Sequence, residues 1–384
     1  MNPGPDRSGP QTIPAVLMRG GTSKGVYFHV GDLPADRSER DEILLRVMGS
    51  PDPLQIDGLG GSRAITSKVA IVGPSTRSDA DVDYTFAQVA VDQSLVQWNG
   101  NCGNISAGVG PFAVDEGLVS ATDGITRVRI FNTNTGKVMT AYVPVTGGRH
   151  NPAGTFAIPG VPGTGAEIVM DWSATIGSRT GKLLPTDNVV DLLTLSDGSS
   201  VPVTICDVAN PAVWVSASSI QARGNESKAE IDESGPLLRT LQEIRARVAE
   251  RLQISPNWQD ADKITPGLPV VGMVAPPSGY TTIDGTPVAA DRMDLSVRLL
   301  FMGKVHESLA GTASVNLAAA SRTPGTVVAD ATANTDSERL RAGHPSGVMS
   351  VSVACEPGEH TTPRFHLLGM GRTARRIADC QIYL

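Results

Sequence analysis

The chain has 384 residues, 32 Lys and Arg against 39 Asp and Glu, and a formal net charge of −7, a length that suits about two domains of ~100–200 residues. An acidic balance without a basic block, and aromatics at only 4%, exclude a phosphate-tracking or base-stacking nucleic-acid surface. The 41 Gly and 27 Pro stay below the ~25–30% that marks a low-complexity chain.

Short apolar runs between Gly/Pro turns dominate the first half: AVLMRG, GVYFHV, SKVAIVG, YTFAQVAV, RVRIFNT, TAYVPV, TFAIPG and AEIVMDW. Their length and β-branched content predict strands. Ser38–Met48 predicts a helix with charges around Ile43, Leu44, Leu45 and Val47. Asn104–Glu116 is small, apolar and nearly uncharged, as a helix buried on all sides would be, although Gly108, Gly110 and Pro111 weaken that pattern. The second half predicts strands at VPVTICDV, AVWVSA, GLPVVGMVAP, DLSVRLLFMG and GVMSVSVAC. It also predicts an amphipathic helix over Gly235–Leu252 and a second small-residue helix over Thr312–Ala320. Each half thus holds several strands and one uncharged helix, a weak internal repeat of about 180–200 residues. The expected fold class is α+β with two similar domains, 1–187 and 188–384, the boundary falling near Pro185–Leu193. An uncharged helix needs cover on every side, which a strongly curled sheet provides.

No run of ~18 apolar residues predicts a membrane span, and the polar start MNPGPDRSGPQ does not read as a secretory signal. Cys102, Cys206, Cys355 and Cys380 are scattered, with no zinc-like spacing. Free thiols suit a reducing, cytoplasmic compartment. Cys206, Cys355 and Cys380 sit in or beside apolar runs and are expected to be buried.

Three segments are too rich in Gly, Ser and Thr for ordinary connections. RGGTSKG (Arg19–Gly25) can turn backbone N–H groups toward an anion, with Arg19 or Lys24 adding charge, although a glycine-rich hairpin is the plain reading. GLGGSRAITSK (Gly58–Lys68) ends on a lysine that opens an apolar strand. Burial there would favour a neutral amine able to move protons; a solvated strand-end lysine is the bland reading. WNGNCGNISAGVG (Trp98–Gly110) sets Cys102 just before the small-residue helix. A helix start eases thiol ionisation and can hold a carboxylate; a buried turn cysteine is the plain reading. Together the three suggest a small anionic organic acid whose C–H bond is activated, with a proton moving between carbon and Lys68 or Cys102.

At Cys102-Gly103-Asn104 the sequence resembles the diaminopimelate epimerase superfamily, and more specifically the PrpF-like isomerases. These include methylaconitate and methylitaconate isomerases and 4-oxalomesaconate tautomerases. The resemblance rests on MRGGTSKGVYF, SPDPLQIDGLGG, TSKVAIVG, GNCGNISAGVGPFA, MGKVHESLAGTA and GHPSG, six ordered blocks covering almost the whole chain. It implies two β-barrel-like sheets, each wrapped around a central helix, with the active site in the cleft between the domains. It implies Lys68 and Cys102 as catalytic residues. It further implies Gly21, Thr22, Ser23, Ser67, Asn104, Ser106, Gly311, Thr312, His344 and Ser346 as substrate holders. Three departures stand out. The second cysteine of the epimerases is replaced in Leu309-Ala310-Gly311-Thr312 by Ala310. Their Asn-Pro-His survives only as Asn210-Pro211-Ala212, and Arg63 stands where a small or hydroxyl residue is expected.

The expected activity is a cofactor-independent allylic isomerase moving a C=C bond in an unsaturated di- or tricarboxylic acid, such as methylaconitate, methylitaconate, aconitate or 4-oxalomesaconate. A cis–trans isomerase, an epimerase of a related acid, and an accessory binding protein for an aconitase-type enzyme are the alternatives. No cofactor and no metal are expected. The expected partners are a small anionic carboxylic acid and at most a second copy as a homodimer, with no nucleic acid and no membrane. Which of Lys68 and Cys102 is the base stays open.

Overall fold

The computed structural model describes residues 12–98, 102–158, 160–301, 303–358 and 362–384. Residues 99–101 of the WNGNCG segment, residue 159 of the TFAIPG run and residue 302 of the MGKVHESLAGTA block lie outside the described residues. The chain forms two compact units. One comprises the chain up to Met170 together with Arg372–Leu384, and the other comprises Asp171–Gly371.

This division differs from the expected boundary at 187/188 for two physical reasons. The C-terminal strand Ala374–Tyr383 pairs antiparallel with Thr12–Gly20, from Thr12 opposite Tyr383 to Gly20 opposite Ala374, a contact between chain ends that no local pattern reveals. Residues 178–180 belong to the second unit because they satisfy its buried Asp207. Its carboxylate accepts from the Ser178 hydroxyl (2.6 Å), the Arg179 and Thr180 N–H groups (2.8 Å each) and the Thr180 hydroxyl (2.9 Å).

In the first unit the predicted strands form within a few residues of expectation. Thr12–Gly20 and Ser23–His29 make an antiparallel hairpin. Ser23–His29 runs parallel to Lys68–Pro74, which runs antiparallel to Val82–Val89. Val82–Val89 is parallel to Gly124–Asn132, itself antiparallel to Lys137–Thr146. Helix Arg37–Met48 starts on Asp36, whose carboxylate accepts from the Glu39 N–H, and ends on Gly49 in the left-handed region. It buries Leu44, Val47 and Met48 on the apolar cluster of Val26, Phe28, Val69 and Ile71. TFAIPG departs from expectation, since among its described residues only an isolated bridge between Phe156 and Gly165 forms.

The small-residue helix spans Gly103–Asp115 and is buried from Ile105 through Val114. It tolerates its glycines because the sheet comes too close for side chains. A Cβ at Gly108 would stand 2.3 Å from the Tyr27 hydroxyl, and one at Gly110 would stand 2.7 Å from Val143 Cγ2. Close approach outweighs the helix propensity lost, which is roughly 1 kcal/mol per glycine.

The second unit repeats the pairing order. Ser200–Val208 is antiparallel to Asn210–Ser216, which is parallel to Val270–Ala275, which is antiparallel to Leu295–Phe301. Leu295–Phe301 is parallel to Arg339–His344, itself antiparallel to Gly347–Glu356. The buried helix Gly311–Ser321 enters where Gly103–Asp115 enters in the first unit, before the parallel-paired strand. One detail recurs closely. Arg129 donates its backbone N–H to Asp81 Oδ2 (2.7 Å) and its guanidinium to Asp81 Oδ1 (2.7 Å) and to Ser78 O (2.9 Å). Arg341 does the same with Asp294 (2.7 Å each) and Asp291 O (2.9 Å). Cys206 is buried as expected, but Cys355 is exposed and Cys380 half-buried. Cys355 follows a register shift after Ala354 that turns its side chain off the core face. Among the described residues no helix is long and apolar enough to cross a membrane.

Candidate active site

Lys68 is the first residue of its strand and only 9% exposed. It faces Gln88 across the antiparallel pair, and its Nζ donates to Gln88 Oε1 at 2.6 Å. The ammonium also lies 5.2 Å from the centroid of the Phe86 ring, two residues along on the same face. Among the described residues no carboxylate lies within ion-pair distance of Lys68. The preceding Ser67 is fully buried, and its hydroxyl accepts from Gln55 Nε2 at 2.8 Å. Gln55 also donates to Ser50 Oγ (3.1 Å) and accepts from the Ser62 N–H (3.0 Å). It thereby folds the glycine-rich loop back onto the strand that carries Lys68.

Cys102 occupies the capping position of helix Gly103–Asp115 in extended backbone (φ −119°), and its side chain makes no capping bond. Its carbonyl accepts from both the Ser106 N–H and the Ser106 hydroxyl, each at 2.9 Å. Asn104, in the first turn, grips the hairpin loop. Its Oδ1 accepts from the Thr22 N–H (3.3 Å) and its Nδ2 donates to Thr22 Oγ1 (2.9 Å). Gly21 must be glycine here, since its φ is +50° and a Cβ would fall 2.2 Å from Asn104 Oδ1. The loop is tied from its other side by Arg19, which bonds Gly21 O (2.9 Å) and Thr373 O (2.8 Å). Gly25 lets the two halves of the site approach: the point where its Cβ would sit is 2.8 Å from Lys68 O and 3.0 Å from Ile105 Cδ1.

Of the expected residues of the first unit, Gly21 and Thr22 meet Asn104, and Ser106 bonds the Cys102 carbonyl, at one helix start; Ser67 and Lys68 lie at the strand end that Gly25 brings against Ile105 of the same helix. The Ser67, Asn104 and Ser106 side chains already hold protein partners. In the second unit Gly311 and Thr312 open the other buried helix, and Thr312 Oγ1 accepts from Asn210 Nδ2 at 3.3 Å. His344 is fully buried. Its Nδ1 accepts from the Ser346 N–H (3.2 Å), and its carbonyl accepts from the Tyr280 hydroxyl (2.8 Å). Ser346 Oγ donates to Glu307 O, tying the GHPSG turn to the segment that leads into this helix. Arg63, flagged by sequence, is exposed.

Three participants escaped the sequence reading. Gln88 stands in no quoted motif, its one signal being a polar residue that interrupts the apolar YTFAQVAV run, and Gln55 lies in the SPDPLQIDGLGG block without a role assigned to it. Arg372 is the third. Burial lowers its guanidinium pKa to about 10, opposed by the electrostatic contribution of Cys102. Burial and then the contribution of Cys102 push the Tyr27 and Tyr84 phenols well above their ordinary range. Tyr27 donates to Ile105 O at 2.6 Å in the first turn of the helix. A buried arginine within electrostatic reach of a helix-start thiol, with Lys68, Lys24 and Arg19 in the same unit, makes an environment for anions.

The chain is 46% identical over 374 residues to a 3-methylitaconate isomerase of Eubacterium barkeri, covering 97% of each chain. It is 40% identical over 375 residues to a (4E)-oxalomesaconate Delta-isomerase of a Novosphingobium species, covering 97% of this chain and 98% of that one. A crystal structure of a methylitaconate-delta-isomerase superposes with a TM-score of 0.93 at 45% identity, covering 98% of this chain and 96% of that one. The family model described as PrpF protein matches residues 11–384, and the chain belongs to the PrpF family.

Proposed function

We propose that this chain is a cofactor-independent allylic isomerase that moves a C=C bond within an unsaturated di- or tricarboxylic acid by a 1,3-proton shift, with Lys68 and Cys102 as the proton-transfer groups. The observation that carries the reading is a buried lysine held by a neutral amide in the same unit as a helix-start cysteine. One of the two groups takes a proton from the sp³ carbon beside the alkene. The electron pair left behind spreads over the allyl unit into the attached carboxylate, where N–H donors and cations stabilise it. A proton then reaches the far end of the allyl unit and the double bond has shifted, with no net change in oxidation state.

The second buried helix starts at Ala310, which offers no proton-transfer group. Two-cysteine epimerisation at a single carbon therefore lacks one of its acids. Incubation in D₂O with methylitaconate, methylaconitate or 4-oxalomesaconate separates the alternatives. The isomerase reading expects deuterium at the new sp³ position together with displaced alkene signals. Exchange confined to one sp³ carbon would indicate an epimerase. Binding without exchange of any of these acids would sink the enzymatic reading.

A further inference from the structure

Every polar partner of Lys68 bears on how a lysine could carry a proton in this site. Its Nζ donates at 2.6 Å to Gln88 Oε1. The orientation of that amide is fixed by its other end, because Gln88 Nε2 donates to Ala64 O (3.0 Å) and Ser67 O (2.9 Å). Both of those acceptors are carbonyls, so the nitrogen must face them and the oxygen must face the lysine. Gln88 lies directly opposite Lys68 in the strand pair, and Phe86 on the same face limits where the ammonium can swing. Lys24 precedes Gly25, which pairs with Lys68 in the neighbouring parallel strand. Lys24 Nζ lies 3.5 Å from the point where a Gly61 Cβ would stand. Among the described residues, no carboxylate faces Lys68 from either neighbouring strand or from the central helix.

We infer that Gln88 is the positioning residue for Lys68, holding its nitrogen in place without a counter-charge so that the lysine can take up and release a proton; this rests on the proton-transfer reading above. The choice of an amide matters chemically. An amide oxygen accepts from an ammonium and from a neutral amine alike, so the nitrogen keeps its place through both halves of a proton shuttle. A carboxylate at the same point would hold the ammonium and oppose release of its proton. The Gln88 amide is itself anchored to the backbone of residues 64 and 67, which makes the alignment a property of the strand end rather than of a mobile side chain.

The test uses Gln88→Glu and Gln88→Met in the full chain, with methylitaconate as the probe acid. The chain has only seven lysines, so ¹³C-labelled lysine gives few NMR signals, and Lys68→Arg identifies the one in question. In Gln88→Glu the Lys68 signal should titrate about one pH unit or more higher than in the parent protein, and the pH–rate profile should move with it. In Gln88→Met, which has similar length but no acceptor, kcat should fall by roughly tenfold to a hundredfold with KM little changed, because a displaced reacting group costs about that much. A Lys68 signal that titrates at the same pH in Gln88→Glu, or parental kcat and pH profile in a folded Gln88→Met, overturns the inference. If the signal moves while the pH–rate profile stays, Gln88 still holds Lys68 and the proton-transfer reading of Lys68 falls instead.

Discussion

Replacing Lys68 by Arg separates a proton carrier from a charge clamp. The site can accept the exchange in part. A guanidinium can still donate to Gln88 Oε1 and stack on Phe86, whose centroid lies 5.2 Å from the present ammonium. The bulkier head in a pocket that leaves Lys68 only 9% exposed should cost about 1–3 kcal/mol of stability, which a thermal melt reads independently. Arginine does not release its proton in the accessible pH range. A lysine that moves the proton therefore predicts a loss of about 10²–10⁴ in kcat, or roughly 3–5.5 kcal/mol of barrier at about 1.36 kcal/mol per tenfold, equal to that of Lys68→Met. A lysine that only clamps a carboxylate predicts otherwise. Removing one charge-assisted hydrogen bond is worth about 1.5–3 kcal/mol, so Lys68→Met would lose roughly tenfold to 150-fold while Lys68→Arg recovers most of it, mainly through KM. Steady-state rates on both variants, with wash-in of solvent deuterium as a second readout, make the comparison. Substantial turnover by a folded Lys68→Arg would refute the proton-transfer assignment and leave the thiol, or a water it activates, to carry the proton both ways.

Cys102→Ser should abolish turnover with unchanged far-UV circular dichroism, since serine is a good capping residue while its hydroxyl is a far weaker acid; near-parental activity would remove Cys102 from the mechanism. Gly21→Ala should lose clearly more stability in urea than Gly136→Ala. Both sites have positive φ, +50° and +67°, but only the first sets a Cβ 2.2 Å from Asn104 Oδ1, and the second meets nothing within 4 Å. The shared backbone strain is about 1–2 kcal/mol, and equal losses would mean that the hairpin does not press on the helix start. His150 gives a pH signature. Burial lowers its imidazole below the ordinary 6.5, against attraction from Asp115, so the unfolded chain takes up this proton before the folded one does. Stability should therefore decline as pH falls below about 6.5, the ordinary histidine value. Urea midpoints of His150→Gln should decline less over the same range, and parallel curves for the two proteins would show that His150 contributes nothing.

Most of the architecture was legible because it rests on local rules. Short β-branched runs such as VPVTICDV and SKVAIVG became the strands Ser200–Val208 and Lys68–Pro74, and the uncharged stretch after Cys102 became the buried helix it suggested. What escaped detection depends on partners far along the chain. Arg339–His344, Arg364–Arg372 and Ala374–Tyr383 are strands whose outward positions carry arginines, so their apolar content is too low to stand out. The last of them closes the first unit by pairing with Thr12–Gly20, which moves that unit's boundary to the far end of the chain. In the site, Lys68 and Cys102 stood out because each sits at a special place, a strand start and a helix start. Gln88 and Arg372 did not, because an amide in a strand or an arginine after glycines acquires meaning only from the side chain it meets. Ser67 and Asn104 were expected as substrate holders, yet their side chains are spent on Gln55 and Thr22. A hydroxyl or amide named by motif can serve a site by holding its frame.

The repeat also explains why the chemistry here is lopsided. Both units share the pairing order, the buried helix and an arginine–aspartate clamp in corresponding strands. Both anchor that helix to a buried aromatic, through the Tyr27 hydroxyl on Ile105 O in one and Trp214 Nε1 on Asn316 Oδ1 in the other. The scaffold therefore constrains both copies alike, and each offers a helix start where an ionisable side chain would be favoured. Only one copy uses it: Cys102 stands at the first start and Ala310 at the second. Epimerisation by two cysteines, one from each half, would need a thiol at both starts. On the reading proposed above, a 1,3-shift can instead draw its second proton-transfer group from the same unit. The candidate for that group is Lys68, at a strand end of the same unit as the cysteine and held by an amide that carries no counter-charge.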